Sequence, residues 1–166
     1  MSIFPTRILL ATDGSEESEL AALRAVDLAH ATDSELHLVH VGVVPIFLAG
    51  YPGTLGYYGK LYEELEEVSR ELLRKQSWRV KVAGGTVAGT HLRMGEVDLE
   101  IVALAKELGA DLIVMGCRGH RGIRRAIEGS ISDAVIRHAP CPVLVVRSHE
   151  RAEASEQSAL LQEGDR

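Results

Sequence analysis

Apolar and polar positions along this chain fall into two alternating periods. Short runs of strand length, Ile8 to Ala11, Leu36 to Val41, Leu112 to Met115 and Pro142 to Val146, are apolar, broken only by His37 and His40, and rich in β-branched residues. Continuous runs of that kind are what strands buried on both faces require. Between them lie longer stretches with helical spacing. Ala22, Val26 and Ala29 recur at i, i+4 and i+7, widened by Leu23 and Ala25, which puts Glu17, Arg24 and Asp27 on the expected solvent side. Asp13 or Ser15 is the expected N-cap of this helix, Asp13 with Glu16 as a capping-box-like partner. Leu61, Leu65, Val68 and Leu72, interleaved with Glu63, Glu64, Glu66, Glu67 and Arg70, predict a second helix from Leu61 to about Trp78 with a solvated, mostly acidic face. A strand is predicted over Thr86 to Arg93. Met94, Gly95 and Glu96 then turn into a helix through Ile101, Leu104, Ala105 and Leu108, which Gly109 terminates.

Four strand-then-helix units followed by a last strand specify an α/β fold: a single doubly wound, five-stranded parallel-sheet domain with helices on both faces. In such sheets ligands bind at the carboxyl ends of the strands, where strand order reverses. Asp13, Val41 and Gly116 all fall at such ends. His37 and His40, three apart in a strand, point to opposite faces and read as structural. Gly42 to Lys60 is expected to be a long loop, rich in aromatics at Phe47, Tyr51, Tyr57 and Tyr58. A lid over a bound base and a protein contact surface are equally open readings of it. If the last strand, Pro142 to Val146, lies at the sheet edge, its unpaired backbone groups predict a homodimer through that edge. The domain is expected to span 1–148, and the polar stretch 149–166 to be a mobile tail.

The densest chemistry follows the strand ending at Met115. Gly116 and Gly119 bracket Cys117 and Arg118, and after nine intervening residues come Gly129 and Ser130, where a helix opens toward Ile131, Ala134, Val135 and His138. Taken singly, these glycines are turn residues and Ser130 an ordinary cap. Jointly they form an anion cradle, because glycine lets backbone N–H groups approach a ligand and a helix N-terminus offers free donors. Arg118, Arg121, Arg124 and Arg125 occupy this stretch with no acidic residue before Glu128, although the net charge is −6. The reversed local sign suits a polyphosphate.

This glycine array, followed by the strand Pro142 to Val146 and paired with ILLATDGS near the amino terminus, closely resembles the universal stress protein family, in particular its ATP-binding branch. The resemblance covers roughly residues 5 to 148. It implies an adenine nucleotide alpha hydrolase-like, Rossmann-like domain. Asp13 would bind the ribose, the backbone around Val41 the adenine, Gly116 and Gly119 the ribose and phosphates, and Gly129, Ser130 and Ile131 the phosphates. Ala11, Thr12, Met115 and Arg118 complete the implied site. The chain has Ala11 where ATP-binding members often carry Pro, and Cys117 where they often carry Ser or Thr.

At 166 residues, with 46% hydrophobic and 25% charged content, the chain fits one globular domain. The acidic balance argues against nucleic acid or an anionic membrane as main partner. Neither a signal segment nor a membrane helix is expected: the stretch Val41 to Tyr58 is interrupted by two prolines and four glycines. A cytoplasmic location follows, in keeping with two cysteines 24 positions apart and no CxxC. Cys117, His120, His138 and Cys141 raise a metal alternative, but a helix from Ser130 to His138 would separate the two pairs by about 13 Å. Function is expected to be that of an ATP-binding stress or signalling module, any Mg²⁺ riding on the phosphates. The alternatives are a slow ATPase, for which the cradle offers His120 but no carboxylate base before Glu128, and a dimeric interaction module that uses no nucleotide.

Overall fold

The computed structural model describes residues 5–43, 55–117 and 131–148, with the backbone alone over 55–58. Strands and helices alternate through them: β1 (Arg7–Ala11), α1 (Glu16–Thr32), β2 (Glu35–Gly42), α2 (Leu55–Val82), β3 (Val87–Met94), α3 (Val97–Leu108), β4 (Leu112–Gly116), α4 (Ile131–His138) and β5 (Val143–Val146). The strands form one parallel sheet in the order β3-β2-β1-β4-β5. The chain therefore winds outward from β1 to one edge, returns to β4 on the other side, and ends at the opposite edge. Strand order reverses between β1 and β4, and β5 is an edge strand, the condition on which its predicted edge pairing depends.

Side-chain alternation splits the core into two layers. Leu9, Ala11, Val39, Val41, Ile113 and Met115 face α3 and α4, whereas Ile8, Leu10, Leu36, Leu38 and Val114 face α1 and α2. Both faces of the three central strands are thus buried, which is why their sequences are continuously apolar rather than alternating. Asp111 ties the amino ends of β1 and β4 together, accepting from the Thr6 hydroxyl at 2.7 Å, the Thr6 amide at 2.9 Å and the Arg7 amide at 3.1 Å. Those donors hold its carboxyl below the ordinary aspartate range, the Thr6 hydroxyl contributing most.

Four expectations need correction. Helix α2 starts at Leu55, so the last six residues of the expected Gly42 to Lys60 loop are helical; residues 44–54 of that loop lie outside those described. Its buried stripe runs through Ser69, Leu73, Gln76 and Val80, while Val68 is exposed. On α1 the expected Ala22, Ala25 and Val26 are buried, but the stripe also takes in Glu17 and Ala21, and Leu23 is half exposed. Alanines at 21, 22 and 25 let α1 lie close against the sheet. Strand β3 runs one residue later than its predicted limits at each end, and the expected tail, 149–166, lies outside the described residues.

Candidate functional site

The carboxyl end of β1 is built by a chain of short-range hydrogen bonds. β1 pairs with β2 as far as Ala11, after which the Thr12 amide donates to the Val39 carbonyl at 2.9 Å. The chain then turns through Gly14 at φ +78°, a backbone state that glycine adopts without a Cβ penalty. Asp13 Oδ1 accepts from the Ser15 amide at 3.0 Å and the Ser15 hydroxyl at 2.6 Å. Ser15 is the N-cap of α1, receiving the Ser18 amide on its Oγ, while Ser18 Oγ donates to the Ser15 carbonyl at 2.8 Å. Of the two expected caps, Ser15 performs the role, with Ser18 rather than an acidic residue opposite it. Asp13 braces the cap and stays half exposed at the strand end.

Beside this turn ends β4. A Cβ placed on Gly116 would lie 2.9 Å from the Glu17 carbonyl carbon and 3.0 Å from both Glu17 Cβ and the Ser18 amide nitrogen. Glycine is thus required here by the close approach of α1. That approach brings Glu17 into the site: it is 3% exposed, and its carboxylate accepts from the Cys117 thiol at 3.1 Å. The Cys117 amide reaches the Val146 carbonyl at 2.9 Å, and its own carbonyl accepts from Ser132 Oγ at 3.2 Å, which joins the first turn of α4 to the end of β4.

Of the expected site residues, the fold brings Ala11, Thr12, Asp13, Val41, Met115, Gly116 and Ile131 to one edge of the sheet, on β1, β2, β4 and α4. Arg118, Gly119, Gly129 and Ser130 lie outside the described residues, as do the other loop arginines and His120. Cys117 and Cys141 sit at opposite ends of β4. Cys141 lies near Ile113 and Asp111, where burial first and the Asp111 charge second push its thiol pKa up. Among the described residues no group of three or more His, Cys, Asp or Glu could hold a metal ion.

Sequence reasoning missed Glu17, although its i, i+4, i+8 relation to Ala21 and Ala25 placed it on the stripe of smallest side chains. It also left His40 without a partner. His37 and His40 do face opposite sides: His37 Nδ1 lies 3.1 Å from His91 Nε2, and His40 Nδ1 lies 2.8 Å from the Thr12 carbonyl oxygen.

Residues 5–147, all but the first four and the polar carboxyl terminus, match the Universal stress protein family. The chain belongs to it. Among relatives, a putative universal stress protein of Staphylococcus haemolyticus is 40% identical over 144 residues, 86% of this chain and 85% of its own length. A universal stress protein from Lactobacillus plantarum superposes with a TM-score of 0.75 at 25% identity, over 88% of this chain and all of that one. Another universal stress protein, solved in complex with cAMP, superposes with a TM-score of 0.62 at 27% identity, over 87% of this chain and 98% of its own. In this universal stress protein the strand order and the turn after β1 are those described above. Among its described residues no helix is long and apolar enough to cross a membrane.

Proposed function

We propose that this universal stress protein binds an adenine nucleotide, ATP in the first instance, at the carboxyl edge of its sheet and works as a nucleotide-dependent stress-response or signalling module in the cytoplasm. The observation that carries this reading is the convergence, at the point where strand order reverses, of the Asp13 turn, the Gly116 end of β4 and the first turn of α4. Asp13 supplies a half-exposed carboxylate for ribose hydroxyls, and Val41, one residue before the end of β2, backbone for the base. Gly116, Gly119, Gly129, Ser130 and Ile131 are the proposed phosphate cradle, with Arg118 beside it and any Mg²⁺ carried by the phosphates. The cAMP complex of the related protein supports an adenine ligand. The β5 edge, where Leu144 is 37% exposed, supports a homodimer.

Absorbance and mass spectrometry of the denatured, freshly purified protein test the ligand directly. Adenine nucleotide in an amount comparable to the protein is the expected result, with affinity for added Mg-ATP that falls when Gly129 is replaced by valine. Neither co-purified nucleotide nor calorimetric heat with Mg-ATP would move the reading to a nucleotide-free interaction module. Slow hydrolysis is a second reading that one observation favours: Glu17 is a carboxylate at the site edge. Phosphate release that persists in Glu17→Gln but disappears in Ser130→Ala would remove Glu17 from any such role.

A further inference from the structure

We propose that His40 is a positioning residue for the nucleotide site, holding the Thr12–Asp13 peptide in the orientation that aims the Asp13 carboxylate. This rests on the binding reading above and deepens it.

Strand β2 grips the end of β1 twice. Its backbone takes the Thr12 amide through the Val39 carbonyl at 2.9 Å, and its side chain takes the Thr12 carbonyl through His40 Nδ1 at 2.8 Å. Regular pairing of β1 stops at Ala11, so the imidazole donates where a parallel ladder would next have offered a backbone amide. A carbonyl only accepts, so Nδ1 carries the hydrogen. The consequence is directional. Fixing both the amide and the carbonyl of Thr12 fixes the planes of the peptides before and after it, and the second of these planes begins Asp13.

From there the turn is determined in steps: the Gly14 amide approaches Thr12 Oγ1 at 3.4 Å, and the Ser15 amide and hydroxyl close on Asp13 Oδ1. His40 and Thr12 are 9% and 5% exposed, so water does not replace the bond cheaply, and an unsatisfied buried carbonyl costs more than the bond itself contributes. His40 is thus connected to the ligand-facing carboxylate by one hydrogen bond and two residues of backbone, without lining the site.

The test uses an isosteric pair. His40→Asn and His40→Leu remove the ring equally, but only asparagine retains an N–H donor near the Nδ1 position. Mg-ATP affinity is measured by calorimetry well below the melting temperature of each variant. Ser15 amide exchange and the His40 tautomer are read by nitrogen-15 NMR in ligand-free protein. Leucine is expected to weaken binding about tenfold, the equivalent of one lost hydrogen bond, and asparagine to restore most of it. Wild-type His40 should carry its proton on Nδ1, and Ser15 exchange should quicken in the leucine variant alone. Equal affinity in both variants, or an unprotonated Nδ1 in the wild type, overturns the proposal. Should the wild type bind no adenine nucleotide, the binding reading fails, while the tautomer and Ser15 exchange still decide whether His40 holds the turn.

Discussion

Gly116→Ala is the sharpest perturbation the fold offers. The added methyl would sit 2.9 Å from the Glu17 carbonyl carbon and 3.0 Å from Glu17 Cβ and the Ser18 amide nitrogen. Two of these three atoms are helix backbone, so no side-chain rotation relieves the contact. The whole first turn of α1 must move off β4, taking the fully buried Ala21 with it. Overpacking of this kind costs about 1–3 kcal/mol, offset by roughly 0.5–1 kcal/mol from replacing a strand glycine. A net loss of about 1–2 kcal/mol is expected, which lowers the urea midpoint by about 0.5–1 M at an m-value of about 2 kcal/mol/M. Gly59→Ala is the matched control. It lies in α2 where, among the described residues, nothing outside its own helix turn comes within 4 Å of the added methyl, and should gain up to about 1 kcal/mol from helix propensity alone. A Gly116→Ala midpoint equal to wild type, measured by circular dichroism, would refute the close-approach argument. The same displacement moves Ser15 and Glu17, so Mg-ATP affinity should fall along with stability.

The His91 imidazole is held below its ordinary value of 6.5, by burial first and then by His37 and Arg93, with Glu107 opposing. The unfolded chain therefore takes up the proton first, and the native-state contribution present above pH 6.5 is lost as pH falls toward the folded value. His91→Gln should flatten the acid-side decline of urea stability between about pH 7 and 5; an unchanged slope would show that His91 does not carry that decline. At the β5 edge, Leu144→Lys is expected to convert a dimer to monomer in analytical ultracentrifugation at micromolar concentration without lowering the melting temperature. A wild type that is itself monomeric would end the edge-pairing proposal.

Most of the sheet was legible because its central strands are buried on both faces, and such strands leave continuous apolar runs that no helix of comparable length would need. The order of the units then placed Asp13, Val41 and Gly116 at a common edge. What was not legible had specific causes. The start of α2 contains Gly56, Tyr57, Tyr58 and Gly59, residues of low helix propensity whose helical state is decided by context rather than local preference. Its inward stripe includes Ser69 and Gln76, so a purely hydrophobic count shifted the face onto Val68. Glu17 escaped because a carboxylate in the first turn of a helix is ordinarily solvated and favoured by the macrodipole. Here the alanines behind it and the glycine opposite it draw the helix in until it is covered. The bond from His40 links a strand to the loop after its neighbour, a pairing that depends on register and leaves no periodic trace.

Helix α1 follows the first strand in sequence but packs against β4, and Glu17 meets Cys117 across 100 residues of chain. Synthesis at about 5–20 residues per second separates the two by roughly 5–20 s. For that interval the alanine stripe of α1 has β1, β2 and α2 to pack on but lacks Val114 of β4. The nascent chain therefore carries an incompletely covered helix face until β4 emerges. The carboxyl edge is completed late along the chain: a nascent chain that stops before β4 holds the Asp13 turn without the strand end opposite it.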